Sequence, residues 1–326
     1  MDALCFRLGG LSLLFRSRDL HFRDAAVVYQ SFLGCDGEAP DLVADLELVS
    51  GGSSDGRTGE RERLLAVVRE YLEETMPPQT EQTGVIEGRI EIVRRFLSSP
   101  SFRGCLQDFE PRGGEWRSLL IGPSFVSFVG AKGSRVRLFL DGDAARTLAS
   151  SLDAYVFFLM NPLLVEHQGV LWHAAGVVNG DGSYVFAGPS GAGKTTIARA
   201  AQALGWPILA DDGLVVRQGT DGTFRAFRTP WRMLAPPWGG SFGEQPESAP
   251  LRAIFFVEHG TCDRWEKLDD MASAVNVMGS LFPTLRRLET GHAASAFELL
   301  VGLAETIPCY RLSFTRSCKF LREIKS

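Results

Sequence analysis

Hydrophobic and polar positions alternate from the first residues of the chain, with Leu4, Phe6 and Leu8 on one side of Gly9-Gly10 and Leu11, Leu13 and Phe15 on the other. A period of two interrupted by paired glycines predicts a hairpin of two short strands. Asp45 to Val49 predicts another strand, and Gly51 to Gly59 (GGSSDGRTG) has nothing to bury and reads as a loop. From Glu60 to Glu74 the period changes: Leu64, Leu65, Val68, Tyr71 and Leu72 recur at helical spacing among charges, an amphipathic helix stopped by Pro77-Pro78. Leu119 to Val129 and Val136 to Leu140 are aliphatic and aromatic runs separated by Gly130 to Ser134, and predict paired strands. Asp143 to Leu164 returns to helical spacing.

Beyond residue 150 the pattern alternates strand and helix. Val170 to Val178 predicts a strand that turns at Asn179-Gly180-Asp181-Gly182 into a second, Tyr184 to Ala187. Thr196 to Leu204, rich in alanine and closed by Gly205, predicts a helix, and Trp206 to Ala210 the strand after it. Leu251 to Val257 reads as a further buried strand. The expected organisation is a smaller α+β domain over residues 1–150 and an α/β domain of nucleotide-binding type over residues 151–326.

Composition narrows the function classes. With 45% hydrophobic and 22% charged residues the chain is that of an ordinary globular protein, and its 326 residues suit two cores. The formal charge of −5 and the lack of a Lys/Arg-rich run argue against nucleic acid and anionic membrane as partners. The longest apolar stretch, Ala154 to Val165, contains Asn161-Pro162 and falls short of the roughly 20 residues that span a bilayer. Asp2, Arg7, Arg16 and Arg18 interrupt the N-terminus, so no export signal is read, and the expected location is cytoplasmic. Six scattered cysteines without a CxxC pair are expected to be reduced, buried thiols.

The chemistry concentrates between Gly188 and Thr195. Gly188-Pro189-Ser190-Gly191-Ala192-Gly193-Lys194-Thr195 satisfies G-x-x-x-x-G-K-[ST] between a predicted strand and a predicted helix, the setting that the phosphate loop (Walker A) requires. Its glycines let backbone N–H groups point at phosphate oxygens, and the helix N-terminus adds partial positive charge there. Lys194 is expected to reach the β- and γ-phosphates of ATP and the Thr195 hydroxyl to bind Mg²⁺, with Thr196 completing the nucleotide contacts.

Asp211-Asp212 closes the next strand, at the edge where open α/β sheets bind ligands. One carboxylate can hold Mg²⁺ while the other accepts the proton of an attacking hydroxyl; Asp-Asp-Gly is equally good turn chemistry. His173, on the strand paired with the one entering the loop, can hydrogen-bond an aspartate, and a lone histidine can equally be a core residue. Arg225, Arg228 and Arg232 surround Thr229-Pro230-Trp231 in a segment, Phe224 to Gly240, that reads as a gating loop over the substrate. Arg228 or Arg232 is a candidate to stabilise charge on a transferred phosphoryl group, with ordinary surface arginines as the other reading.

Leu171-Trp172-His173-Ala174-Ala175-Gly176, GPSGAGKTT and Leu209-Ala210-Asp211-Asp212, in that order, resemble the catalytic domain of bacterial HPr serine kinases. Thr229-Pro230-Trp231, LRAIFFV and Ile307 to Phe314 are similar to an HPr-kinase-like subgroup that accompanies gene clusters for modified peptides. The resemblance covers residues 165 to 314 and implies the HPr kinase / phosphoenolpyruvate carboxykinase type of fold, with ATP and Mg²⁺ as cofactors. It implies Asp211 as general base, Asp212 and His173 supporting metal and base, and Thr195 and Asp212 at the metal. It also implies a peptide or small-protein serine as acceptor and a homo-oligomeric assembly. Thr196 stands where those kinases have an acidic residue, and their later Arg-Gly-rich motif is missing, so HPr itself is not the expected acceptor. A small-molecule kinase of the same fold and a non-catalytic, nucleotide-gated binding module remain the alternative readings.

Overall fold

The computed structural model describes residues 1–22, 26, 29, 32–34, 39–49, 58–75, 82–110, 115–130, 134–142, 148–231, 246–285 and 290–324. The chain divides into two compact units, Met1–Arg7 with Leu11–Met160, and Leu8–Gly10 with Asn161–Ser326. Among the described residues there are seven α-helices and two sheets, a mixed α/β protein. No helix among them is long and apolar enough to cross a membrane.

The first unit runs β1 (Asp2–Leu8), β2 (Leu11–Ser17), β3 (Leu42–Val49), α1 (Thr58–Thr75), α2 (Gln82–Phe96), α3 (Pro100–Gln107), β4 (Trp116–Gly122), β5 (Phe125–Gly130) and β6 (Arg135–Asp141), then enters α4 (Leu148–Glu166). Its six strands are ordered β1-β2-β3-β6-β5-β4. Apolar residues of α1 to α3, among them Val68, Val93 and Phe102, meet Phe128 and Phe139 of the sheet in one core. Phe102 packs edge-on against both rings, at 5.3 and 5.1 Å between centroids. Tyr155 of α4 is fully buried and its hydroxyl bonds Ser127 of β5 at 2.9 Å, which satisfies the one polar atom the ring brings into the core.

Three expectations change here. Leu119 to Val129 is two strands, because Pro123 and Ser124 form the turn between β4 and β5, and proline cannot donate to a ladder. The helices over residues 82–107 have no counterpart in the pattern read above. Cys5 is disulfide-bonded rather than reduced: a β-bridge from Phe6 to Leu33 and the bond from Gly34 N to Cys5 O, 3.1 Å, bring a later segment against β1. Cys105, Cys262, Cys309 and Cys318 are free, and burial pushes the thiols of Cys105, Cys309 and Cys318 up to about 11. The expected loop lies outside the described residues up to position 57, as do Pro77-Pro78 and the start of the helix predicted from Asp143.

The second unit continues with β7 (Gly169–Trp172), β8 (Ala174–Asn179), β9 (Gly182–Ala187), α5 (Lys194–Ala203), β10 (Ile208–Ala210), β11 (Leu214–Gln218), β12 (Phe224–Phe227), β13 (Ser248–His259), β14 (Arg264–Lys267), α6 (Asp270–Leu285), α7 (Thr290–Thr306) and β15 (Cys309–Phe314). Strands β9, β13 and β15 are parallel neighbours; β8 pairs antiparallel with β9, and β10 with β8. An antiparallel group, β12-β11-β7, continues from the first residues of β13. Both faces are covered around β8, β9 and β13, which is why these strands read as nearly continuous apolar runs. Ile254 and Phe256 of β13 point into the core under α6 and α7, while Ala253, Phe255 and Val257 point into the core under α5.

Phe186 of β9 stacks on Phe255 at 5.2 Å and meets Phe320 edge-on at 6.0 Å, with no exposed surface. Phe186→Ala is expected to cost about 3–5 kcal/mol. Urea unfolding would show it as a lowered midpoint with an unchanged slope.

Candidate active site

The residues singled out in the sequence meet where two chain segments change partners within the sheet. The segment from Gly169 to Asn179 is not one strand: it breaks at His173, with β7 pairing β11 and β8 pairing β9. The segment from Ile208 to Gln218 breaks likewise at Asp211-Asp212-Gly213, with β10 pairing β8 and β11 pairing β7. The registers Leu214↔Trp172 and Ala210↔Gly176 put the two breaks side by side. His173 Nδ1 accordingly lies 2.9 Å from Asp212 Oδ1 and 3.0 Å from the Asp212 carbonyl oxygen. Both are acceptors, so Nδ1 carries the proton and donates to them.

The same registers place the glycine-rich loop. Ala187, the last residue of β9, is opposite Ala174 on β8 and Phe256 on β13, so Gly188 to Gly193 leave the sheet beside His173. Gly191 and Gly193 have φ of 80° and 98°, and α5 starts directly afterwards at Lys194. A Cβ on Gly193 would stand 2.5 Å from Cζ of the buried Phe314 ring, whereas one on Gly191 would meet nothing within 4 Å. Ile197 N bonds Gly193 O at 3.0 Å as the first helical bond, and the N–H groups of Gly193, Lys194, Thr195 and Thr196 have no intrahelical acceptor.

Lys194 is buried at 5% exposure and folds back on the loop, its Nζ donating to the carbonyls of Gly188 at 2.9 Å and Pro189 at 3.0 Å. Burial pushes its ammonium below the usual lysine range, against the pull of the Asp212 charge. The Asp212 carboxyl is held below its ordinary value by the His173 hydrogen bond, against burial, with the charges of His173 and Lys194 helping. His173, Asp212 and Lys194 therefore form one electrostatic group. Asp211 beside them is buried at 1% exposure.

The aspartate turn is braced from below. Thr229, fully buried, donates its N–H to Leu209 O at 3.1 Å and its hydroxyl to Gly213 O, and Gly213 N reaches Trp231 O at 3.5 Å. These bonds bracket Asp211-Asp212 at both ends. Arg228 is buried at 8% exposure, which removes the surface reading for it, and its N–H donates to Glu247 O at 2.8 Å. Burial pushes its guanidinium down, with Glu247 opposing. Arg225 spends its guanidinium on Ser248. Arg232 and the segment to Gly240 lie outside the described residues.

Two participants were not picked out in the sequence. Thr229 was noticed as part of a motif without a role, and His259 was given none. The structure puts His259 Nε2 2.9 Å from Gly191 O. The signal was its position just past the predicted strand Leu251–Val257, at the same sheet edge as Asp211.

The family model for the SynChlorMet cassette protein ScmC matches residues 152–326, more than half of the chain. The chain belongs to the ScmC family. No curated protein matches the ScmC-family chain. Among solved structures it is similar to the Hpr(Ser) kinase/phosphatase from Coxiella burnetii, at 11% identity over 44% of this chain and 84% of that one, with a TM-score of 0.22. That likeness is too distant to transfer an activity.

Among the described residues no three His, Cys, Asp or Glu side chains are grouped to hold a metal ion. Mg²⁺, however, keeps water ligands and is commonly held by only one or two carboxylates together with phosphate oxygens. Thr195 and Asp212 are the residues that would supply the protein's share.

Two outcomes are expected. In His173→Ala the Asp212 carboxyl loses the bond that lowers it and titrates closer to its ordinary 3.8, as carboxyl ¹³C shifts would report. The sign follows from linkage: stabilisation by a depressed carboxyl is full above its unfolded value and lost as pH falls through the folded one, so the variant, with the two values closer together, has less of it to lose and its stability changes less over that acid window. Separately, Gly191→Ala is expected to cost about 1–2 kcal/mol of backbone strain. Gly193→Ala adds a clash with Phe314 and is expected to lower the thermal midpoint further.

Proposed function

We propose that this ScmC-family chain is a kinase that transfers the γ-phosphate of ATP, with Mg²⁺, to a serine hydroxyl of a peptide or small protein. The observation that carries the reading is the convergence, at one sheet edge, of a glycine-rich loop ending in a helix N-terminus with Lys194 and with the His173–Asp212 pair. The three ordered motifs that resemble HPr serine kinases support it independently.

In this reading the N–H groups of Gly193 to Thr196 receive phosphate oxygens, as helix N-termini do. Lys194 exchanges its two loop carbonyls for phosphate, which removes the cost of a buried ammonium bonded only to neutral groups. Thr195 and Asp212 would hold Mg²⁺, which would offset phosphate charge. His173 fixes the Asp212 carboxylate in its ionised form and in one orientation. Asp211 accepts the proton of the attacking serine hydroxyl, its buried place keeping bulk water from competing. Arg228 is a further candidate to meet charge on the phosphoryl group. The N-terminal unit is assigned acceptor recognition, and since the family is a cassette protein, the acceptor is sought first among other products of that cassette.

The test is transfer of label from γ-³²P-ATP to those products. Lys194→Ala is expected to lower transfer by about 10²-fold or more. Asp211→Asn is expected to bind nucleotide as the wild type does while losing about 10²–10⁴-fold in transfer. Nucleotide binding without transfer to any acceptor would overturn the kinase reading in favour of a nucleotide-gated binding module.

A further inference from the structure

His259 is the last residue of β13 and is opposite Phe314, the last residue of β15, across a parallel ladder. The imidazole and the Phe314 ring lie 5.7 Å apart. A side chain on Gly193 would come within 3.2 Å of His259 Cε1 as well as striking Phe314, so loop, imidazole and phenyl ring are in direct contact. On this packing His259 Nε2 reaches the Gly191 carbonyl at 2.9 Å. A carbonyl only accepts, so Nε2 carries the proton.

The peptide plane between Gly191 and Ala192 is therefore held at both edges, its C=O by His259 and its N–H by Pro189 O at 3.1 Å. One of the two residues about which that plane turns is Gly191, at φ 80°, whose lack of a side chain leaves the rotation less restrained than at other residues. Rotation of it would break both bonds and release the Gly191 carbonyl oxygen from His259, and a carbonyl oxygen turned toward a bound phosphate repels it.

We infer that His259 is a positioning residue of the nucleotide site, holding the Gly191 carbonyl away from the phosphates so that the loop meets ATP already shaped. The inference rests on the nucleotide reading proposed above and adds to it a residue that lies outside every recognised motif. His259 does not touch the reacting atoms in this account; it acts through the loop.

Calorimetric titration of the 326-residue chain with MgATP tests it, using two variants. His259→Leu keeps an apolar side chain against Phe314 and removes the donor, whereas His259→Gln retains a side-chain N–H that can reach Gly191 O. The expected result is affinity for MgATP weakened about 3- to 10-fold in His259→Leu, the range of one net hydrogen bond, and restored to near the wild-type value in His259→Gln. Thermal unfolding without nucleotide is expected to be alike in all three, which a purely structural role would not give. Wild-type affinity in His259→Leu, or equal weakening in both variants, overturns the inference alone. A wild-type chain that does not bind MgATP overturns the nucleotide reading and this inference with it.

Discussion

The second unit depends on the hydrogen-bond ladder of β13. This twelve-residue strand pairs β12 through its first residues, then β9 on one side and β15 on the other. Every buried backbone donor and acceptor must find a partner, and β13 satisfies its own by belonging to both halves of the sheet. Because β9, β13 and β15 run parallel, their carboxyl ends emerge at the same edge of the sheet, Phe314 opposite His259 and Ala187 opposite Phe256, three residues before it. The glycine-rich loop, the clamp on it and the ring beneath it then follow from strand pairing before any side chain is considered.

The breaks at His173 and Gly213 follow from the same requirement. A chain that leaves one half of the sheet for the other needs a few residues outside the strand ladder, and these lie where the chain changes partners. His173 and Asp211-Asp212 occupy these positions. The His173 bond to Asp212 and the Thr229 bonds to Leu209 and Gly213 restore some of the pairing that the breaks remove. The contacts that orient the candidate catalytic groups are thus also the contacts that repair the sheet.

What the sequence made legible was what local pattern encodes. The hairpin at Gly9-Gly10, the turn at Gly180-Asp181 and the helix after Lys194 are each announced within about ten residues by glycine, turn chemistry or alanine content. The motif residues Lys194, Asp212 and His173 were readable too, and the structure brings them together. What escaped depends on partners distant in the chain. Val170 to Val178 carries an unbroken apolar pattern, and only the pairing of Leu214 with Trp172 and of Ala187 with Ala174 shows that it switches partners at His173. The disulfide at Cys5 escaped for the same reason, since no spacing marked the segment that returns to β1. His259 sits in no motif, and its contact with Gly191 spans 68 positions.

Glycines give the loop its shape and at the same time make that shape costly to hold, because residues free to adopt positive φ lose the most conformational entropy when ordered. The molecule counters this from outside the motif. Phe314 sits where any side chain on Gly193 would lie, His259 and Pro189 hold the peptide between the two left-handed glycines, and Lys194 bonds the carbonyls at the loop's start. These restraints differ in kind. The Lys194 bonds are made by a buried cation to neutral oxygens and are the ones an anion would displace, whereas the Phe314 contact is apolar packing and the His259 bond is made to the Gly191 carbonyl. In the proposed nucleotide reading, a loop restrained in these ways would offer its N–H groups without first having to order them, which would lower the entropic cost of binding a phosphate chain.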